Sequence, residues 1–211
     1  MTTYGNMQDR IADELDRTDL TSQIQKAIQT AIDAYEKRRF WFNESRALTF
    51  NTVANQEFYG SSDATDLPNL IFIDTVKLSL TATEKVELDR VPYEELEHES
   101  DNLTADGGQP TCYAWYASQM RLYPIPDAAY AVRVSGVFAL SDLSATADTN
   151  AWMTDAEVLI RSRAKREIYT HLLRDLEGAG IMAQAEMSAL KELIEVNNSR
   201  KSTGSIVPSD F

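Results

Sequence analysis

With 211 residues, 43% of them hydrophobic, the chain can bury a substantial core as one domain or two small ones. Thirty-three acidic residues against twenty basic ones give a formal charge of −13, a balance that argues against a basic nucleic-acid-binding stripe. One cysteine excludes an internal disulfide and any multi-cysteine metal site, and no apolar run approaches the roughly 20 residues of a membrane-spanning helix.

Polar sequence follows Met1-Thr2-Thr3-Tyr4, unlike the apolar core of a signal peptide, so synthesis in the cytoplasm and no membrane partner are expected. Met7, Ile11 and Leu15 recur every four residues and predict a short amphipathic helix ending near Arg17. From Leu20 the series Ile24, Ala27, Ile28, Ala31, Ile32 and Tyr35 predicts a second helix, the clearest in the chain. It leads into Arg38-Arg39-Phe40-Trp41-Phe42, whose three rings read as a hydrophobic plug where helix meets sheet rather than as a ligand site.

After Asn43-Glu44 the period changes to two. Leu48 and Phe50, then Val76, Leu78 and Leu80, then Val86 and Leu88 alternate with polar neighbours as half-buried antiparallel strands do. Gly60 to Asn69 is a loop by composition, and Pro92 opens one helical turn at Tyr93-Glu94-Glu95-Leu96-Glu97. Asp106-Gly107-Gly108-Gln109-Pro110 is a further turn. It delivers the chain to Tyr113–Val134, read as a hairpin folded at Pro124-Ile125-Pro126-Asp127, with Met120 and Leu122 opposite Val132 and Val134 and with Arg121, Tyr123 and Arg133 on the other face.

Thr154-Asp155-Ala156-Glu157 fits a capping box and predicts a helix with Val158, Leu159, Ala164, Ile168, Leu172 and Leu176 as its apolar stripe, broken at Gly178-Ala179-Gly180. A last helix carries Ala183, Met187, Leu190 and Ile194 and ends near Asn197-Asn198; residues 199–211 have no period and read as an extended tail. The fold class is therefore α+β. Residues 1–44 and 151–198 supply the helices of one bundle, 45–150 form an antiparallel β-domain inserted into it, and 199–211 are the tail arm.

The acidity belongs to the middle, where residues 45–150 hold sixteen Asp and Glu against six Lys and Arg, a solvated face that cannot grip phosphate. No phosphate-binding glycine loop, zinc-helix motif or nucleophile elbow is present, and no catalytic, cofactor or metal residue is assigned. His98 and His171 are isolated; Cys112 lies in an alternating run as a strand residue does; pairs such as Glu94-Glu95 read as solvated rather than as acid–base partners. Arg161, Arg163, Lys165 and Arg166 could hold phosphate, but spread around a helix they fit salt bridges and solvent better.

The order of motifs "RRFWFNES", "QEFYG", "GQPTCYAWYASQMRLYPIPD" and "FALSDL" resembles the head-to-tail adaptor proteins, also called connectors or gateway proteins, of short-tailed bacteriophages. The likeness spans about residues 20 to 175 and is most specific over Gly108–Asp127. It implies a structural virion protein of the neck, made in the host bacterial cytoplasm. It further implies a ring of twelve copies bound to the portal protein and to further tail, or nozzle, proteins, around a channel through which genomic DNA passes without specific binding. Ile206, Val207, Pro208 and Phe211 in the tail and Arg161, Arg163 and Arg166 in the helix opened by the capping box are the expected partner contacts, and the channel wall is expected to be neutral or negative. A tail-associated wall-degrading enzyme would need paired acids in a cleft or a metal site, and a nucleic-acid-binding module a basic stripe; the sequence offers neither.

Overall fold

The computed structural model describes residues 2–102 and 107–201. In chain order these form α1 (Tyr4–Leu15), α2 (Thr21–Glu36), β1 (Glu44–Asn51), β2 (Phe58–Tyr59), β3 (Leu70–Ser79), β4 (Lys85–Glu87), β5 (Asp89–Arg90) and α3 (Tyr93–Asn102). Then follow β6 (Cys112–Tyr116), β7 (Gln119–Tyr123), β8 (Ala131–Phe138), α4 (Ala151–Thr154), α5 (Glu157–Ile168), a π-helical turn (Tyr169–Leu173) and α6 (Leu176–Lys201). The class is α+β, and the chain divides into two compact units, one of residues 1–43 with 140–211 and one of Glu44–Ala139.

In the helical unit the i, i+3, i+4 spacing does what its chemistry demands. α1 starts where the Thr3 hydroxyl accepts from the Asn6 amide at 3.2 Å, buries Met7 and Ile11 completely, and stops at Asp16, which turns left-handed. α2 buries Ile24, Ala27, Ile28, Ala31, Ile32 and Tyr35 against α5. The aromatic plug belongs to this core: Phe40 is buried, stacks on Phe42 at 5.1 Å and meets the edge of Trp152 at 5.8 Å.

Four details of the helical unit differ from expectation. Residues 140–150 belong with the helices rather than with the β-domain, because Leu143 is buried in the helical core and the Tyr4 and Gly5 amides donate to the Asp148 and Thr146 carbonyls. The capping box does not form. Asn150 caps instead, accepting from the Trp152 amide, so Trp152 and Met153 turn inward on α4; Thr154 ends that helix, and Glu157 opens α5 with its carboxylate turned to arginines. The break after α5 comes at Arg174, left-handed, and Asp175, whose carboxylate caps the Glu177 and Gly178 amides, so the glycines lie inside α6. A Cβ at Gly178 would stand 2.5 Å from Asp175 Oδ2, so this glycine permits the cap rather than breaking a helix. α6 also runs past Asn197-Asn198 to Lys201, so 199–201 are helical, whereas 202–211 lie outside the described residues.

The β-unit holds two four-stranded sheets, ordered β1-β8-β3-β4 and β2-β7-β6-β5. All named pairs are antiparallel except β5 with β6, which run parallel. Leu48, Phe50, Val76, Leu78, Val132 and Val134 of the first sheet and Tyr59, Tyr113, Met120 and Leu122 of the second bury one common core. The central strand β8 approaches β3 so closely that a Cβ on Gly136 would lie 2.0 Å from the Phe72 carbonyl oxygen.

The expected hairpin between Met120–Leu122 and Val132–Val134 is not formed. β7 pairs with β6, Tyr113 opposite Leu122 and Trp115 opposite Met120, through a two-residue turn at Ala117-Ser118, where both residues have positive φ. Such turns match the twist of paired strands, but Ala-Ser lacks the Asn-Gly chemistry that announces them. Pro124 and Pro126 have no amide to extend a ladder, and their segment carries the chain from one sheet to the other. Helix α3 is also longer than one turn, with Leu96 buried beneath it. Asp106 of the expected turn lies outside the described residues.

Candidate functional site

The basic run of α5 faces acids from distant parts of the chain. Glu14 of α1 accepts from Arg161, from Lys165 at 2.7 Å and from Arg10 at 3.2 Å, and Glu157 lies 3.2 Å from both Arg10 and Arg161. Burial alone would raise the Glu14 carboxyl, but Lys165, Arg161 and Arg10 together hold it below the ordinary value. On another side of α5, Glu186 of α6 is buried, lies 2.9 Å from Arg166 and 3.6 Å from Arg163, and accepts from the Tyr35 hydroxyl. Burial, and then the adjoining carboxylate, push the Tyr35 phenol up. Arg161, Arg163 and Arg166 are thus engaged within their own chain, each at least two-thirds buried.

α6 carries exposed apolar side chains as well as buried ones. Its buried line is Ala179, Glu186, Ala189 and Leu193, where small side chains let α5 approach and Glu186 meet the arginines. The sequence-predicted stripe Ala183, Met187, Leu190 and Ile194 stands about a quarter turn away. Leu190 touches the core, but Met187 is 71% exposed, and it aligns with Ile194 and with Leu176, which is 79% exposed. Leu176 to Ile194 is eighteen residues, about 27 Å of helix at 1.5 Å each. Leu176, Met187 and Ile194 thus form an exposed apolar row along one face of α6. Along the other flank of α6, Trp41, Val158, Leu159, Ala189, Leu193 and Val196 line a groove of about 350 Å³.

The β-unit carries a polar node of its own. Arg121, expected on the strand face opposite Met120 and Leu122, is 3% exposed and is held by Glu57 and Glu97, with its guanidinium 5.3 Å from the Phe58 ring and 5.4 Å from the Tyr93 ring. Tyr93 donates to Glu97 at 2.6 Å and stacks on the exposed Tyr116 at 4.2 Å between ring centres. One member of the acidic run is therefore an internal ligand of an arginine, while Glu94, Glu95 and Glu99 face solvent.

Among the described residues no three His, Cys, Asp or Glu side chains come together as metal ligands, and no helix is long and apolar enough to cross a membrane. Burial pushes the Cys112 thiol up, away from the thiolate a nucleophile needs, and its sulfur donates to the Tyr123 carbonyl at 3.5 Å. Exposed His171 lies 3.5 Å from Glu167. Of the expected contact residues, Ile206, Val207, Pro208 and Phe211 lie outside the described residues. The exposed row of α6 was missed as a surface because a single helical stripe reads as a core face; the signal available was that α6 carries more apolar positions than one face can hold.

The family model described as SU10 adaptor protein matches residues 2–208. Among curated proteins, no match was found.

Proposed function

The chain belongs to the SU10 adaptor protein family, phage head-to-tail adaptors, and from that premise we propose that it is one subunit of a ring beneath the portal protein that joins capsid to tail and surrounds the path of the DNA. The role is structural rather than catalytic. The observation that carries the ring reading is the uncovered row Leu176, Met187 and Ile194 on the longest helix, an apolar strip that a neighbouring subunit or the portal would bury. Twelve copies, further tail proteins on the far side, and a place in the virion neck complete the reading, as the resemblance implies.

Ile206, Val207, Pro208 and Phe211 are proposed as tail contacts with a neighbour or the portal. Arg161, Arg163 and Arg166 take part in assembly through the ion pairs that stiffen the helical unit, and any contact they make with a partner shares those acids. Arginines already paired with carboxylates offer phosphate little net field, which supports a channel wall that DNA slides past without sticking. Electron microscopy of the purified protein with and without its portal tests the reading. Rings seated on the portal are expected; a portal that never recruits the chain, or tight salt-sensitive retention of duplex DNA by the ring, would overturn it.

A further inference from the structure

The groove on the helical unit lies where the chain leaves α6. Ala189, Leu193, Val196 and Arg200 follow one another at spacings of four, three and four, so they share one face of the helix. The first three line the groove, and the guanidinium of Arg200 lies over the Trp41 ring, 4.6 Å from its centre, at the groove's edge. Lys201, the last described residue, follows immediately, so the described chain ends beside the groove.

Their sequence, Ser-Thr-Gly-Ser-Ile-Val-Pro-Ser-Asp-Phe, opens with small residues suited to a reversal and then presents Ile206-Val207-Pro208 and Phe211. Going back from Lys201 to Val196 takes about 8 Å of helix and to Ala189 about 18 Å. An extended chain covers about 3.3 Å per residue, so Ile206 reaches about 16 Å and Phe211 about 33 Å. The rim carries Asp155, Glu157 and Glu192; Asp210 is the one charged side chain among residues 202–211, so Ile206 and Val207 enter with no side-chain charge for the rim to repel, and the groove favours them over Phe211. Tethering raises the local concentration of the segment to the millimolar range, so a few weak apolar contacts suffice to hold it.

We propose that in the unassembled chain this groove, walled by Trp41, Val158, Leu193 and Val196, is occupied by the chain's own residues 202–211, with Ile206 and Val207 as the main apolar anchors. Groove and tail then mask each other until an assembling partner takes one of them, which releases both surfaces together. The proposal does not rest on the ring, and its test uses the free full-length chain.

A photo-activated benzoylphenylalanine at position 158, whose side chain is exposed, reports what lies in the groove. After irradiation of an equal mixture of isotope-labelled and unlabelled chains, cross-links to residues 202–211 within one isotopic species are expected, and they should be lost when Ile206→Asp and Val207→Asp are introduced. Cross-links joining labelled to unlabelled chains would overturn docking within one chain in favour of exchange between copies. Cross-links that never involve residues 202–211 would overturn it altogether. An independent readout is quenching of Trp41 fluorescence by iodide in a Trp115→Phe background, Trp152 being buried. Removal of 202–211 is expected to raise the quenching, and identical quenching in the full-length and shortened chains would count against the proposal.

Discussion

The hydroxyl of Tyr35 in α2 donates to the carboxylate of Glu186 in α6, 151 residues further along the chain and inside the helical core. That carboxylate also balances Arg163 and Arg166, so three helices meet at one buried charge. Glu186→Ala leaves both arginines without it and should cost about 3–5 kcal/mol of stability. Tyr35→Phe removes only the hydrogen bond and should cost about 1–2 kcal/mol. Chemical denaturation separates the two; equal losses would show that Glu186 matters through Tyr35 alone.

Glu14 makes the helical unit sensitive to acid. Its folded-state pKa lies below the ordinary value because Lys165, Arg161 and Arg10 outweigh the effect of burial. Its contribution to stability is therefore complete above the ordinary Glu value of about 4.3 and is lost as the pH falls from there through the folded value. Glu14→Gln should remove about 0.5–1 kcal/mol near neutral pH and progressively less below that window. Denaturant midpoints compared across this pH range measure it, and a constant difference at every pH would rule the mechanism out.

Ala117 and Ser118 hold left-handed conformations that cost a residue with a Cβ. Ala117→Asn together with Ser118→Gly suits the same turn and should stabilise by about 0.5–1 kcal/mol. In a chain of this length that corresponds to about 1–4 °C in Tm. Calorimetry checks it, and a lower Tm would mean that the turn is not of this type.

Gly136 has no such latitude. Its absent Cβ leaves room for the Phe72 carbonyl, a backbone atom that cannot rotate away. Gly136→Ala should cost at least about 3 kcal/mol, at the upper end of what overpacking does. A variant that melts with the parent chain would show that β3 can shift where its register with β8 breaks, between Ile73 and Thr75.

Met187→Lys and Ile194→Asp lie on the exposed row of α6 and should alter folding stability by no more than about 0.5 kcal/mol. Both should nonetheless abolish ring formation on the portal, read by electron microscopy and sedimentation. Intact rings from the double variant would move the subunit contact elsewhere.

Much of the local structure was legible in the sequence. The series from Ile24 to Tyr35 could bury only one way, and the period-two runs at Leu48–Phe50 and Val76–Leu78 became inward faces of strands, because helix and strand periodicities are properties of a segment alone. The absence of recognised catalytic motifs and the likeness to phage adaptors were also readable there.

Choices among equivalent partners were not. Met120 and Leu122 fit Val132 and Val134 as well as they fit Tyr113 and Trp115, and the left-handed turn at Ala117-Ser118 made the selection. α6 offered two apolar lines, and the one with alanines and a glutamate won because it alone let α5 come close and gave Arg163 and Arg166 a counter-charge. For Arg161 the partner was Glu14, 147 residues away. A sequence determines which faces want burial and which charges want company; only folding, by bringing distant segments within contact range, decides which of them are satisfied inside the chain and which, like Leu176, Met187 and Ile194, are left facing outward.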